Sequence, residues 1–561
     1  MTLSHLIIDF AHLRHVPVFL VIGELDAALG DPSLSMQLAE RTVPVQLMPG
    51  MRPDVELLCQ RAGALFSGEG ALPLCALLLA DGRPFLAAPL PPPGFPLDPS
   101  RLFVWLTQAD RRFSQNLPAL MGQASEVIRS FRVPALRRPL SAQDAAHQLM
   151  RALNAIEDKA NGGFGQIKAP LVTGLRFIQH AAASGDRQAH AALSRALDAM
   201  LSSSLYDPLD GSFFRATLTD DWRAFSPEKP LGINAMLALI LLESGRRSEA
   251  MRTLDSLIST FSLPGGALTP YLRVARDACA FTPEQVCAAL GSEPGLRACR
   301  LLRLLHQHAR EQPRLTPSRF SPVDDAPSRP SIDEEPLCPE LSPSLTPEDS
   351  AFLRRVLPAL LRLRAARTPP QSAPFLLTQD CALAAAVLAQ CGQRLGEARY
   401  TQAAQRAVSS LSALPGAQGG LLGLPPAFAP ASPLLTQATC GAGAALALAL
   451  LTLGKGEGMG EYAKSGLRLL SATLHAFVTP EGMVMHTPRD PAAFFPRVPA
   501  LEDSELPSPA ALLVHALRMA RDMQPEAHYG EAIEAVWQAA SPSAAAHPLA
   551  LAGLIDAVNP L

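Results

Sequence analysis

CGAGAALALALLTLG, residues 440–454, contains no charged residue and is apolar on more than one face of a helical wheel. It is too short and too alanine-rich to span a bilayer, which takes about 20 predominantly apolar residues. It suits a core helix. INAMLALILLESG (233–245) and DCALAAAVLAQCG (380–392) read the same way. A helix apolar on two sides needs neighbours on two sides, as the inner helices of a closed ring have, touching an outer ring and the barrel axis.

Working outward, residues 141–561 are helical almost throughout, with apolar positions at helical spacing. A glycine turn and a short apolar extension recur after successive helices: NGGFGQI at 161, DGSFFRA at 210, PGGALTPYL at 264, QGGLLGLPP at 418 and PEGMVMHTP at 480. Most of these turns lie roughly 50 to 60 residues apart, the mark of a repeated supersecondary unit. The longer gap contains a Pro/Ser/acidic stretch, 311–347, that reads as a surface linker. Half a dozen helical hairpins that close on themselves make an all-α six-hairpin (α/α)6 toroid or barrel, and that is the predicted fold of 141–561.

Residues 1–92 differ. VPVFLVIG, PSLSMQLAER and VPVQLM alternate strand, helix and strand, and LPLCALLLADGRPFLAA reads as a hairpin turning at Asp81-Gly82. This predicts an α/β thioredoxin-like N-terminal domain. The expected Cys-x-x-Cys is missing, because no cysteine lies between Gly23 and Ser35. PLPPPGFPLDP (89–99) breaks both helix and strand, so 93–140 reads as a proline-rich hinge with a connecting helix.

Composition removes several classes. The formal charge is −3 and only 18% of residues are charged, which gives no basic field for nucleic acid or an anionic membrane. The nine cysteines form neither a C-x-x-C nor a Cys/His cluster, so no metal site and no disulfide framework are readable. No cofactor motif appears either. The N-terminus lacks the basic start of a signal peptide, and the sequence predicts a soluble, cytoplasmic protein.

Several of these segments resemble the thioredoxin-domain proteins of the YyaL/spermatogenesis-associated protein 20 family (the DUF255 group). Ile22-Gly23, RPDVE (52–56) and GALPL (70–74) match its first domain, and Pro73 falls where the family places a cis-proline. NGGFGQIKAP (161–170) and DGSFFRATLTDDWRAFSPEKPLGINA (210–235) match its barrel signatures. The resemblance implies a thioredoxin-like domain before a six-hairpin barrel, and it carries Lys168, Arg215, Trp222, Glu228, Lys229 and Asn234 as pocket residues. The chain departs from the pattern where the family has its cysteines, at Ser226, at Gly232-Ile233, and at Asp380-Cys381, which replaces Trp-Asn. DSELPSP (503–509) resembles the family's last signature.

Three functions follow as expectations. The first is a redox-inactive member that binds a protein partner or a small molecule. The second is a carbohydrate-active enzyme, epimerase-like or glycosidase-like, at the barrel mouth. There Glu228 would be the acid/base, Arg215 and Lys229 would bind hydroxyls or anions, Trp222 would be a platform, and Asp221, Asn234 and Lys168 would complete the binding set. Asp207, Asp210, Asp220 and Asp221 also enter as carboxylates, with turn roles as the plainer reading, while for Glu228-Lys229 the plainer reading is a structural salt bridge. The third, a dithiol oxidoreductase using Cys59 and Cys75, fits worst.

Overall fold

The computed structural model describes residues 11, 15–23, 32–91, 97–132, 138–165, 168–217, 219–223, 225–305, 338–342, 345–414, 424–428, 438–456, 458–490 and 495–559. The cysteine-free turn after Gly23, the middle of the proline hinge, most of the 311–347 linker and most of the glycine turn at 418 lie outside them.

The first unit runs β1 (Val18–Ile22), α1 (Pro32–Arg41), β2 (Val43–Leu47), α2 (Pro53–Ser67), β3 (Leu74–Leu78), β4 (Pro84–Pro89), α3 (Pro99–Gln115) and α4 (Leu117–Arg129). The sheet order is β2-β1-β3-β4, with β1 and β2 parallel and β3 antiparallel to both β1 and β4. Every residue of VFLVI and of LCALL is buried, as befits central strands covered on both faces. Val55, Leu58, Cys59 and Ala62 of α2 cover one face. Leu102, Trp105 and Leu106 of α3 and Leu120 of α4 cover the other. The helices between 99 and 129 therefore belong to the sheet's own core, and the α/β unit extends past residue 92 instead of ending there. The hairpin turns at Gly82, whose φ of 77° suits glycine, and the Leu72–Pro73 peptide bond is cis.

The chain then alternates outer and inner helices: outer α5 (Ala142–Ile156), inner α6 (Val172–Ala183), outer α7 (Arg187–Leu201), inner α8 (Leu231–Glu243) and outer α9 (Arg247–Ser259). An insertion follows, with α10 (Pro283–Leu290), α11 (Ser292–Leu301) and α12 (Pro347–Ala365). The alternation resumes with inner α13 (Thr378–Leu395), outer α14 (Ala398–Ser412), inner α15 (Cys440–Gly454), outer α16 (Gly460–Phe477), inner α17 (Pro509–Met523), outer α18 (Tyr529–Ala546) and inner α19 (Ala552–Val558).

Each inner helix packs on the next, and α19 returns to α6, so six inner helices close a ring inside six outer ones. The sixth hairpin joins the start of the barrel segment to its last helices: the Trp537 indole N–H donates to the Leu140 carbonyl at 2.9 Å, and Asn559 Nδ2 donates to the Ala142 carbonyl at 2.9 Å. Burial explains the layering. In α8 every residue from Leu231 to Leu241 is buried, and α15 is buried on almost every position. Outer α5 buries only Ala145, Leu149 and Leu153, a single stripe at i, i+4, i+8. Since inner helices alternate with outer ones, they all run the same way, and their N-termini gather at one mouth. Among the described residues no helix is long and apolar enough to cross a membrane.

Candidate active site at the barrel mouth

Three short strands lie at that mouth: β5 (Glu228–Pro230), β6 (Tyr271–Arg273) and β7 (Gln371–Ser372), in the order β5-β6-β7. Successive residues of a strand point to opposite faces, so Glu228 and Lys229 part company. Glu228 accepts from Arg215 Nε at 2.9 Å through Oε2 and from Arg273 at 3.1 Å through Oε1, and Arg215 also pairs with Glu505. This group keeps solvent access, with the Arg215 side chain 30% exposed and that of Glu505 49%.

Lys229 turns inward and is 2% exposed. Its Nζ donates to Asp207 and to Asp210 at 2.7 Å each, while Arg364 of α12 donates to Asp207 at 2.8 and 2.9 Å. Burial alone would raise the Asp207 carboxyl, but Arg364 and Lys229 outweigh it and hold it well below the usual carboxylate range. Burial alone would lower the Lys229 ammonium, and Asp207 and Asp210 reverse that, so it is raised. This buried pairing clamps the insertion to the barrel and replaces the substrate-binding role expected of Lys229.

The other sequence candidates are also structural. Trp222 is 3% exposed, its indole N–H donates to the Asn161 and Gly162 carbonyls at 3.1 and 3.2 Å, and its ring covers Gly163, so no face is free to stack on a sugar. Asn234 is fully buried and ties Phe213 to Pro230 through their backbone groups. Lys168 is equally buried on Asp158 (2.7 Å) and the Gly165 carbonyl. Asp221 sits in a surface turn, accepting from Thr219 and pairing with Arg223. Of the residues proposed from sequence, Arg215 and Glu228 alone face the mouth.

Three carboxyl groups that sequence reasoning left outside the site join them. Glu505 lies in the DSELPSP segment. Asp380 stands in the first turn of inner helix α13; burial pushes its carboxyl up to about 7, with Glu505 and Glu56 adding to the rise and Arg215 opposing it. Glu56 comes from α2 of the α/β unit; burial likewise pushes it up to about 7, against the Gly50 N–H that donates to it at 2.8 Å and the Arg215 charge. Both carboxyls therefore exchange protons near neutrality beside one arginine.

His486 is buried on the mouth side, its carbonyl accepting from the Cys440 N–H at the start of α15, and burial lowers its imidazole to about 4 against the Asp54 charge; two other histidines lie elsewhere. His180 Nδ1 lies 2.6 Å from Asp556 Oδ1, and burial holds nearby His515 down at about 4; His180 sits in the last turn of α6 and His515 at the middle of α17. The cysteines of the α/β unit do not form a redox pair. Cys59 packs on one face of the sheet and Cys75 on the other, both buried and neither in a disulfide, and burial raises both the Cys59 and Cys381 thiols. Bridging Cys59 and Cys75 would need their Cβ vectors to converge, and here they lie on opposite sides of a strand layer.

No family model matches the chain, and no curated protein matches it in sequence. Among solved structures it is similar to a D-mannose isomerase (11% identity, TM-score 0.44, over 73% of this chain and 88% of that one). It is similar to a family 76 glycoside hydrolase from a bovine Bacteroides thetaiotaomicron strain (8%, TM-score 0.45, 75% and 77%). It is also similar to the cellobiose 2-epimerase from Spirochaeta thermophila DSM 6192 (15%, TM-score 0.41, 71% and 84%).

Proposed function

We propose that the chain is a carbohydrate-directed enzyme performing acid–base chemistry at the barrel mouth, with Asp380 as the proton-transferring group. The observation that supports this most is a carboxyl pushed up to about 7 next to Arg215, itself held between Glu228 and Glu505. A general acid or base works best when its pKa lies near the working pH. An ordinary aspartate is fully ionised there, whereas one raised to about 7 exchanges its proton at the working pH. Arg215 and Arg273 supply donors for substrate hydroxyls, and Glu228 and Glu505 supply acceptors. Glu228, engaged by two arginines, is reassigned from acid/base to orienting group.

The proposal includes the family resemblance. The β2-β1-β3-β4 order supports a thioredoxin-like first domain, and the separated cysteines support its being redox-inactive. Nine cysteines without a disulfide among them suit the reducing cytoplasm as its place of work. A second reading, a binder without turnover, is favoured by one feature: Arg215 is already occupied by two carboxylates before any ligand arrives.

A thermal-shift and turnover screen against aldoses, disaccharides and sugar phosphates tests this. Binding with conversion that Asp380→Asn abolishes supports the enzyme. Binding without conversion supports the binder, and conversion unchanged in Asp380→Asn overturns the assignment.

A further inference from the structure

We infer that the N-terminal α/β unit is a fixed cap on the barrel mouth and that its Glu56 is a working residue of the barrel's site. The inference rests on the mouth being the site. It also gives a domain with no redox pair something to do.

The contact centres on one short segment, residues 48–56. Met48 and Met51 pack into a cluster with Tyr271, Phe375 and Leu377, which belong to the mouth strands and to the approach to α13. Gly50 has φ +84°, and a Cβ there would stand 2.6 Å from Leu377 Cδ1, so the backbone lies directly on the barrel. Leu377 is three residues before Asp380. The same Gly50 donates its N–H to Glu56, which fixes the carboxyl over this seat. Arg52 is locked on Asp54 by bonds of 2.9 and 2.7 Å and stacks 5.0 Å from the Phe495 ring of the barrel. Farther along α2, Arg61 pairs with Glu502, three residues from Glu505. Val498 of the barrel is counted in the same apolar cluster as β1 and α2.

RPDVE therefore works as a docking element. Arg52 and Asp54 hold the start of α2 on the barrel, Val55 anchors it to the sheet, and Glu56, one residue on, is held by the Gly50 N–H over Leu377, within electrostatic reach of Arg215, Glu505 and Asp380. The apolar packing around Met48 and Met51 leaves the cap no loose hinge at this edge. Glu56 acts on Asp380 as a positioning and proton-coupling neighbour, and it closes the side of the site that the barrel's own helices leave open.

The test follows the pH dependence of the thermal midpoint in the full-length chain. The difference between wild type and Asp380→Asn has an inflection set by Asp380, and in a Glu56→Gln background that inflection is predicted to move downward. An unmoved inflection overturns the inference. If Glu56→Gln does not accumulate, Met51→Ala loosens the same seat without touching the carboxyl and is predicted to move the inflection the same way. A second arm couples glycinamide to accessible carboxyls with a water-soluble carbodiimide at pH 6 and maps the modified peptides. A sugar found by the screen is predicted to protect both Glu56 and Asp380. Protection of Asp380 without Glu56 refutes the cap's role and leaves the enzyme reading standing. If no sugar binds yet the inflection moves, the enzyme reading falls and the cap remains.

Discussion

Replacing Asp380 with asparagine tests the electrostatics of the mouth without a known substrate. Asparagine keeps the shape of the neutral acid and removes its titration. Below about pH 4 the carboxyl is protonated in the folded and unfolded chains alike and contributes nothing. Between about 4 and 7 the folded chain holds a proton that the unfolded chain releases, so wild-type stability falls as pH rises. Above 7 the full cost is present: a rise from 3.8 to about 7 corresponds to about 4 kcal/mol. A chain of 561 residues has a large unfolding entropy, so this amounts to a midpoint shift of only about 3–4 °C. Differential scanning calorimetry should show Asp380→Asn melting with wild type at pH 4 and above it by that amount at pH 8.5. A difference that is the same at both pH values would refute the half-buried, proton-holding Asp380 described here.

Other outcomes follow from the same structure. Lys229→Met leaves Asp207 and Asp210 buried with Arg364 as their remaining cation and should cost about 3–5 kcal/mol, read by urea unfolding. His515→Gln should reduce acid sensitivity: the folded-state value of about 4 against an ordinary 6.5 means stability is lost as pH falls through that window, by about 3 kcal/mol, and the variant should lose less of it between pH 6.5 and 4 in a stability titration. Leu237→Ala, in the fully buried face of α8, should cost about 2–5 kcal/mol in the same unfolding assay. Adding a reducing agent should leave the melting midpoint unchanged, because no disulfide joins any of the nine cysteines.

The barrel was legible because inner and outer helices have different periodicities. INAMLALILLE has no polar side, and AQDAAHQLMRALNAI has one, so which helix goes inside can be read from composition alone. The hairpin at Asp81-Gly82 was legible for a similarly local reason. The extent of the α/β unit was not: α3 and α4 follow a proline-rich stretch that looks like a boundary, and only their packing on Phe19, Val21 and Leu77 shows where they belong. The site was half legible. A Glu-Lys pair between prolines announces special backbone, but not that alternate strand residues send one charge to the mouth and the other into a buried clamp on Arg364, more than a hundred residues away. Trp222 is a matter of context: an indole is equally a sugar platform or a lid over Gly163, and the backbone carbonyls around it decide. Glu56 and Asp380 lie 324 positions apart in different domains, so no local pattern joins them. The signal that pointed to them was present in two places, RPDVE and the Asp380-Cys381 replacement, each read singly.

The pH–rate profile of wild type and Asp380→Asn, on whichever sugar the screen shows to be converted, bears most directly on the central claim. Wild type should show an inflection near pH 7, and Asp380→Asn should lose both the inflection and about 100-fold or more in rate. A variant that keeps the wild-type rate and the same inflection would contradict acid–base chemistry by Asp380 at the barrel mouth.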